Sequence, residues 1–364
     1  MLSAIESSAS DLDSLPDNLV LEETFRKVAK LDPIDFDQCG DVLKFLTEPN
    51  PEQESAEFSD VYYGVYSTVE HIIEENDTVP GRSRLSYFKD KHILLVEKFT
   101  SIHEVPFLHL DSIFCGFLHG LHRHDSDYSV YATVSRVLTL LYASAVPDLS
   151  ITMNVITKNR IHEPKVLVVG ECAFAQDTDS VLRKIKYEIA SHPEVLMVIM
   201  VVIEEHQPYR SPGRMSEAWQ MLLQDNLSRS SFLSLQGIAA QSLDQPVVVA
   251  GHTWCHLASV RFHVWVRGDE PINIDVDNEL LARGTLFPKR DMDAVDTMIE
   301  KGMVMMRDCL ATVCQKVAPG SNICAIRESG VTFCPNWNHL LRNLKRAVDG
   351  TAYGRYHSWY KSSS

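Results

Sequence analysis

The stretch VLVVGECAFAQD, Val166 to Asp177, decides how the chain is read. Three valines and a leucine run into Gly170, as they do where a strand enters a nucleotide-binding loop. A dinucleotide loop needs three glycines, for a tight turn, for close backbone approach to the pyrophosphate and for helix packing. Only Gly170 is present, and Glu171, Cys172 and Ala173 follow it. The stretch is therefore read as a strand, KVLVVGECAF (165–174), apolar enough to be buried on both faces. Its tip delivers a carboxylate, Glu171.

Working outward, DLSITMNVI (148–156) is β-branched and alternating, which predicts a strand. TKNRIHEP between the two strands reads as a turn. Antiparallel pairing across that turn would bring Asp148, at the start of one strand, beside Glu171, near the end of the other. Downstream, DTDSVLRKIKYEIASH (177–192) predicts a helix capped by Thr178 or Asp179, with Val181, Leu182, Ile185 and Ile189 on its apolar stripe. Pro193 ends it, and VLMVIMVVI (195–203) is a third, central strand. Upstream, Val130, Val134, Val137, Leu138 and Leu141 recur at helical spacing and predict a helix over Tyr128–Ser144, stopped at Val146-Pro147. Beyond the core, a helix is expected over 213–226, strands over 245–251, 259–268 and 272–277, and a long helix over 291–317. The N-terminal part predicts helical pieces at Leu19–Leu31 and Asp41–Leu46, a linker at 48–57 and helical spacing over Val61–Glu75; residues 92–102 fit strand or helix. The fold class expected is α/β (α+β), a mixed central sheet flanked by helices.

Two carboxylates at one sheet edge are what a hard divalent cation requires: few oxygen ligands, with room for waters and a phosphate. The pair Asp148 and Glu171 therefore predicts Mg²⁺, or Mn²⁺, and with it phosphodiester hydrolysis.

Pro147-Asp148, a buried strand ending in Glu171, a helix bearing Lys184 and a further apolar strand resemble the PD-(D/E)XK, or restriction-endonuclease-like, nuclease superfamily. Its core has a helix, a strand hairpin, a crossover helix and another strand. The glutamate of its second motif is matched by Glu171, but Ala173 stands where its lysine would be. The variant is similar to Uma2-like and fungal branches, in which the lysine has migrated to the following helix. The resemblance covers roughly residues 128–205. It implies a restriction-endonuclease-like core with helical N-terminal and C-terminal additions. It implies that Asp148 and Glu171 hold the metal, that Lys184 orients the attacking water, and that Gln176 hydrogen-bonds the same site. Lys186 is the rival for the lysine role. Histidines upstream of the PD motif serve as ligands in some branches, which makes His119 or His122 remote candidates.

Composition bounds the partners. The net charge is −15, which taken whole disfavours a polyanion. Residues 1–60 carry 15 acidic side chains against 4 basic ones, a net of −11, so the remaining chain is only −4. Residues 341–364 are basic. The expected organisation is an acidic, partly disordered extension over 1–57, the nuclease-like domain over 58–335 with its core at about 128–280, and a basic tail over 336–364. The alternatives are a catalytically degenerate descendant that binds nucleic acid, and a protein–protein interaction module that uses the acidic N-terminus or basic tail. The start lacks a secretory pattern and no apolar run approaches the ~18 residues of a spanning helix. Eight cysteines without a CxxC pair fit unpaired thiols. The expectation is an intracellular protein, cytoplasmic or nuclear, without a membrane partner. HGLHRHDSD (119–127) and GHTWCH (251–256) are dense in potential ligands, but their spacing completes no known metal motif, and they read as loop, turn and core residues.

Overall fold

The computed structural model describes residues 35–363, apart from 49, 76–82, 99, 122, 125–127, 136–137, 140–142, 146, 159, 175–177, 237–241 and 321–322. The first 34 residues of the expected N-terminal extension, including the helix predicted at Leu19–Leu31, lie outside the described residues. The chain divides into two compact units, Met1–Glu48 with Ser55–Phe99, and Pro49–Glu54 with Thr100–Ser364.

In the first unit, helix α1 (Phe36–Thr47) starts where the Gln38 backbone N–H donates to Asp35 Oδ1 at 3.1 Å. Strand β1 (Ser55–Phe58) occupies the end of the predicted linker, and helix α2 (Tyr63–Glu75) follows where helical spacing predicts it. Strands β2 (Arg84–Phe88) and β3 (Ile93–Glu97) complete a β1-β3-β2 antiparallel arrangement, so the ambiguous 92–102 run is strand over Ile93–Glu97 and enters the next helix at Ser101. Cys39, Val42, Val65, Val69, Leu94 and Val96 pack as this unit's own core.

The second unit begins with helix α3 (Ser101–Leu121) and the short strand β4 (Arg123–His124). Strand β5 (Tyr128–Ser135) and the small hairpin β6 (Leu138–Thr139) and β7 (Ala143–Ala145) overturn the helix expected at Tyr128–Ser144. Val130, Ala132 and Val134 recur at a period of two, a pattern the helical spacing of Val130 and Val134 conceals. The β-branched, aromatic sequence YSVYATVS then takes the pleated surface that β8 (Leu149–Thr157) offers, pairing from Tyr128↔Thr157 to Ser135↔Ser150. A two-residue strand β9 (Arg160–Ile161) folds back on β8.

Strand β10 (Lys165–Phe174) has the predicted bounds and pairs antiparallel with β8, with Gly170 opposite Leu149. Helix α4 (Thr178–Ser191) crosses over to β11 (Met197–Glu205), which runs parallel to β10. Short helices α5 (Glu217–Leu222) and α6 (Arg229–Ser234) follow. The hairpin β12 (Val247–Val249) and β13 (His252–Cys255) turns at Ala250 and Gly251, both at positive φ, as a two-residue hairpin turn requires. Strands β14 (Leu257–Val266) and β15 (Leu281–Phe287) extend the main sheet, whose order is β15-β14-β11-β10-β8-β5-β4. The strand expected at 272–277 is absent: INIDVD forms turns, in which the Asn273 side chain accepts the Asp275 N–H at 3.0 Å and so competes with any strand ladder.

Helices α7 (Asp293–Val317), α8 (Cys324–Arg327) and α9 (Trp337–Ser363) close the chain. The expected basic tail is thus a packed helix. Trp337, Leu340, Leu344, Val348, Tyr356 and Trp359 of α9 are buried in the unit's core. Arg355 is neutralised inside it, donating to both Glu205 oxygens at 2.7 and 2.8 Å, to Glu54 Oε1 at 2.8 Å and to the Trp254 carbonyl at 3.1 Å. The architecture is α/β: a mixed central sheet with helices against it. No cysteine is in a disulfide.

Gly170 explains part of the opening stretch. A Cβ there would lie 2.5 Å from Phe107 Cε1 on α3 and 3.0 Å from Leu149 Cβ. The glycine lets α3 press directly on β10. Its neighbour Glu171 points to the other face, toward α4, because side chains alternate along a strand. Gly170→Ala should lower unfolding free energy by about 1–3 kcal/mol through overpacking, read as a reduced urea midpoint with an unchanged slope, and Phe107→Leu in the same chain should recover part of it.

Candidate functional site

Glu171 leaves the middle of the sheet toward α4, and α4 answers with an amphipathic face of unusual content. Its buried positions are Val181, Lys184, Ile185, Glu188, Ile189 and Ser191. A lysine and a glutamate at i and i+4 thus sit on the apolar stripe itself. Lys184 is 1% exposed and Glu188 0%. Lys184 Nζ lies 2.9 Å from Glu171 Oε2, with Glu171 2% exposed. Asp148, 3% exposed, is fixed from the adjacent strand: its Oδ2 accepts the Cys172 backbone N–H at 2.6 Å. The β8–β10 register ends at Leu149↔Gly170, and Asp148 and Glu171 are the next residues beyond it on the two segments.

Four buried ionisable groups therefore share one site: three carboxyls and one ammonium. Burial is the largest influence on Glu171 and pushes its pKa well above the ordinary 4.5. Lys184 opposes that shift, while Glu188 and Asp148 reinforce it through like charge. Glu188 raises the Glu171 pKa both through its like charge and through its carboxyl beside it. The other Glu171 oxygen, Oε1, is buried and receives no N–H donor.

Sequence reasoning named three of these four groups. Asp148, Glu171 and Lys184 are together. Gln176 lies outside the described residues. Lys186 is turned away: half-exposed, it pairs with Asp275 at 2.8 Å. His119 stands exposed in the last turn of α3 and is not among the groups acting on Glu171, and His122 lies outside the described residues. Glu188 was missed. Its signal was present, because a helical wheel puts 181, 184, 185, 188 and 189 on one face.

The donor set suits a hard cation in its chemistry, with two carboxylates from neighbouring strands and one Glu171 oxygen without an N–H partner. Among the described residues, no group of three or more His, Cys, Asp or Glu is arranged to hold a metal ion. Any metal here would rest on Asp148 and Glu171 with non-protein ligands completing its shell, the usual manner of Mg²⁺. No protein-family model, curated protein or solved structure matches this chain. Among the described residues, no helix is long and apolar enough to cross a membrane.

Lys184→Met leaves buried carboxyls without their cation and should destabilise the second unit by about 3–5 kcal/mol. Adding Glu171→Gln should recover part of that loss, as measured by urea unfolding. The pH dependence has a definite sign. A carboxyl with a raised folded-state pKa keeps its proton in the fold where the unfolded chain has lost it. Its contribution to stability therefore falls as pH rises above 4.5 toward the folded value. Unfolding free energies of Glu171→Gln should accordingly fall less with rising pH in that window than those of the unsubstituted protein.

Proposed function

We propose that the protein is a metal-dependent nuclease of the PD-(D/E)XK type whose lysine comes from the helix rather than from the strand. One observation carries the reading: the Lys184 ammonium meets Glu171 at 2.9 Å, although Ala173 occupies the strand position where a lysine would follow the glutamate. An ammonium is thereby restored beside the carboxylate pair from a different element. The order α3, then antiparallel β5, β8 and β10, then crossover helix α4 and parallel β11 supports the same reading. Within it, the β8–β10 hairpin, the crossover helix and the further strand match the resemblance, while β5 stands where the resemblance put its first helix.

In this reading Asp148 and Glu171 hold Mg²⁺ or Mn²⁺. When bound, the ion supplies Lewis-acid stabilisation of the phosphoryl oxygens and a water of lowered pKa. The Cys172 N–H fixes one Asp148 oxygen and so aims the other. Lys184 orients the Glu171 carboxylate and offsets the negative charge of a phosphodiester. Glu171 must lose its proton before it can act as a ligand, so activity rises with pH as that carboxyl, its pKa raised by burial, ionises.

The degenerate alternative is favoured by burial: none of the four side chains is more than 3% exposed. A cleavage assay separates the two. Purified protein with Mg²⁺ or Mn²⁺ should cut single- or double-stranded DNA or RNA. Asp148→Asn and Lys184→Ala should each reduce the rate by about 10²-fold or more. Salt-sensitive binding of nucleic acid without any cleavage would instead place the chain among inactive descendants. Neither binding nor cleavage would favour the interaction module.

A further inference from the structure

A second concave site lies on the face of α3 away from the sheet. A groove of about 690 Å³ runs between α3, α6, α9 and the segment that leads into α9. Its lining contains two arginines and two histidines and no aspartate or glutamate, in a chain whose net charge is −15.

The arginines gather at one end. Arg229 donates through Nη2 to the Arg346 carbonyl at 3.2 Å, which holds it across α9. Gly350 lies beside both Arg229 and Ser101: a Cβ there would stand 3.4 Å from Arg229 Nη2 and 3.7 Å from Ser101 Oγ, ordinary contact distances. Arg346 is exposed and reaches only the Asn343 side chain, at 3.4 Å. Among the described residues, neither guanidinium pairs with a carboxylate. Two arginines with spare donors, beside a serine hydroxyl, present the forked geometry that phosphate oxygens accept.

The other end is flat and apolar. The His109 and His339 rings stack with centroids 6.1 Å apart, and Trp337 lies 5.9 Å from His109. Burial and the neighbouring His339 push the His109 pKa below the ordinary imidazole range, so near neutral pH this ring is uncharged. Its Nε2 is buried without a hydrogen-bond partner. Leu108, 47% exposed, and Val105 line the wall between the two ends. From Ser101 to His109 is eight residues of helix, about 12 Å at 1.5 Å per residue.

We infer that this groove binds a nucleoside phosphate, its phosphate on Arg229, Arg346 and Ser101 and its base against His109, His339 and Leu108. A cationic end, an apolar flat end and a separation of one small molecule's length together select that class over a simple anion or an apolar ligand. The inference rests on the groove alone and stands apart from the carboxylate site.

Isothermal titration of the full chain with AMP, inorganic phosphate and adenosine tests it. AMP should bind at least about tenfold more tightly than either fragment, because only AMP engages both ends. Arg346→Ala and Arg229→Ala should each weaken AMP about tenfold, the loss of a charge-assisted bond, while Glu171→Gln leaves it unchanged. Arg346 is exposed, so its variant keeps the test valid if Arg229→Ala fails to fold. The inference is overturned if AMP does not bind, if phosphate alone binds as tightly, or if AMP binding ignores the Arg346 substitution.

Discussion

A lysine buried against a glutamate at 2.9 Å, with two further carboxyls beside them, is the constraint on which the second unit turns. Isolated charges at that depth are prohibitively costly, and their attraction repays the lost hydration only with close geometry. Every surrounding element serves that geometry. Strand β10 brings Glu171 to the centre of the sheet, β8 brings Asp148 to the adjacent register position, and the crossover helix lays Lys184 and Glu188 over both. Such a cluster is a poor way to gain stability, because well-packed apolar residues of similar volume would do as well or better. Its composition, paired carboxylates beside an ammonium, is what the proposed metal site draws on.

The two faces of β10 divide the labour. Gly170 has no side chain, so Phe107 and α3 pack tightly on one face. Glu171 turns to the other face, where α4 supplies its partner. A one-residue shift in register would exchange the two and leave the carboxylate in the α3 core. Alternation along one strand thus separates a face that holds the fold together from a face that carries the charges.

Much of this was legible in the sequence, and the exceptions have physical causes. The bounds of β10 followed from an uninterrupted apolar run, and α4 from its stripe and the proline after it. The strand β5 was misread because valines at 130 and 134 fit both a period of two and one of 3.6, and only the presence of β8 decides between them. The C-terminal helix was misread as a tail because its basic residues were weighed as free charge. Arg355 is instead enclosed by Glu54 and Glu205, distant partners that no local pattern reveals. Glu188 escaped notice for a related reason: a glutamate on an apolar stripe is conspicuous only once Lys184, one turn earlier, is known to be buried as well.

Asp148 and Glu171 are proposed to form one metal site served by Lys184. Crystals soaked in Mn²⁺ and measured at its absorption edge test it most directly. The account predicts one strong anomalous peak in contact with both carboxylates, and its loss in Asp148→Asn. A Lys184–Glu171 contact left intact with no peak beside it, at Mn²⁺ concentrations that saturate other sites, would contradict it.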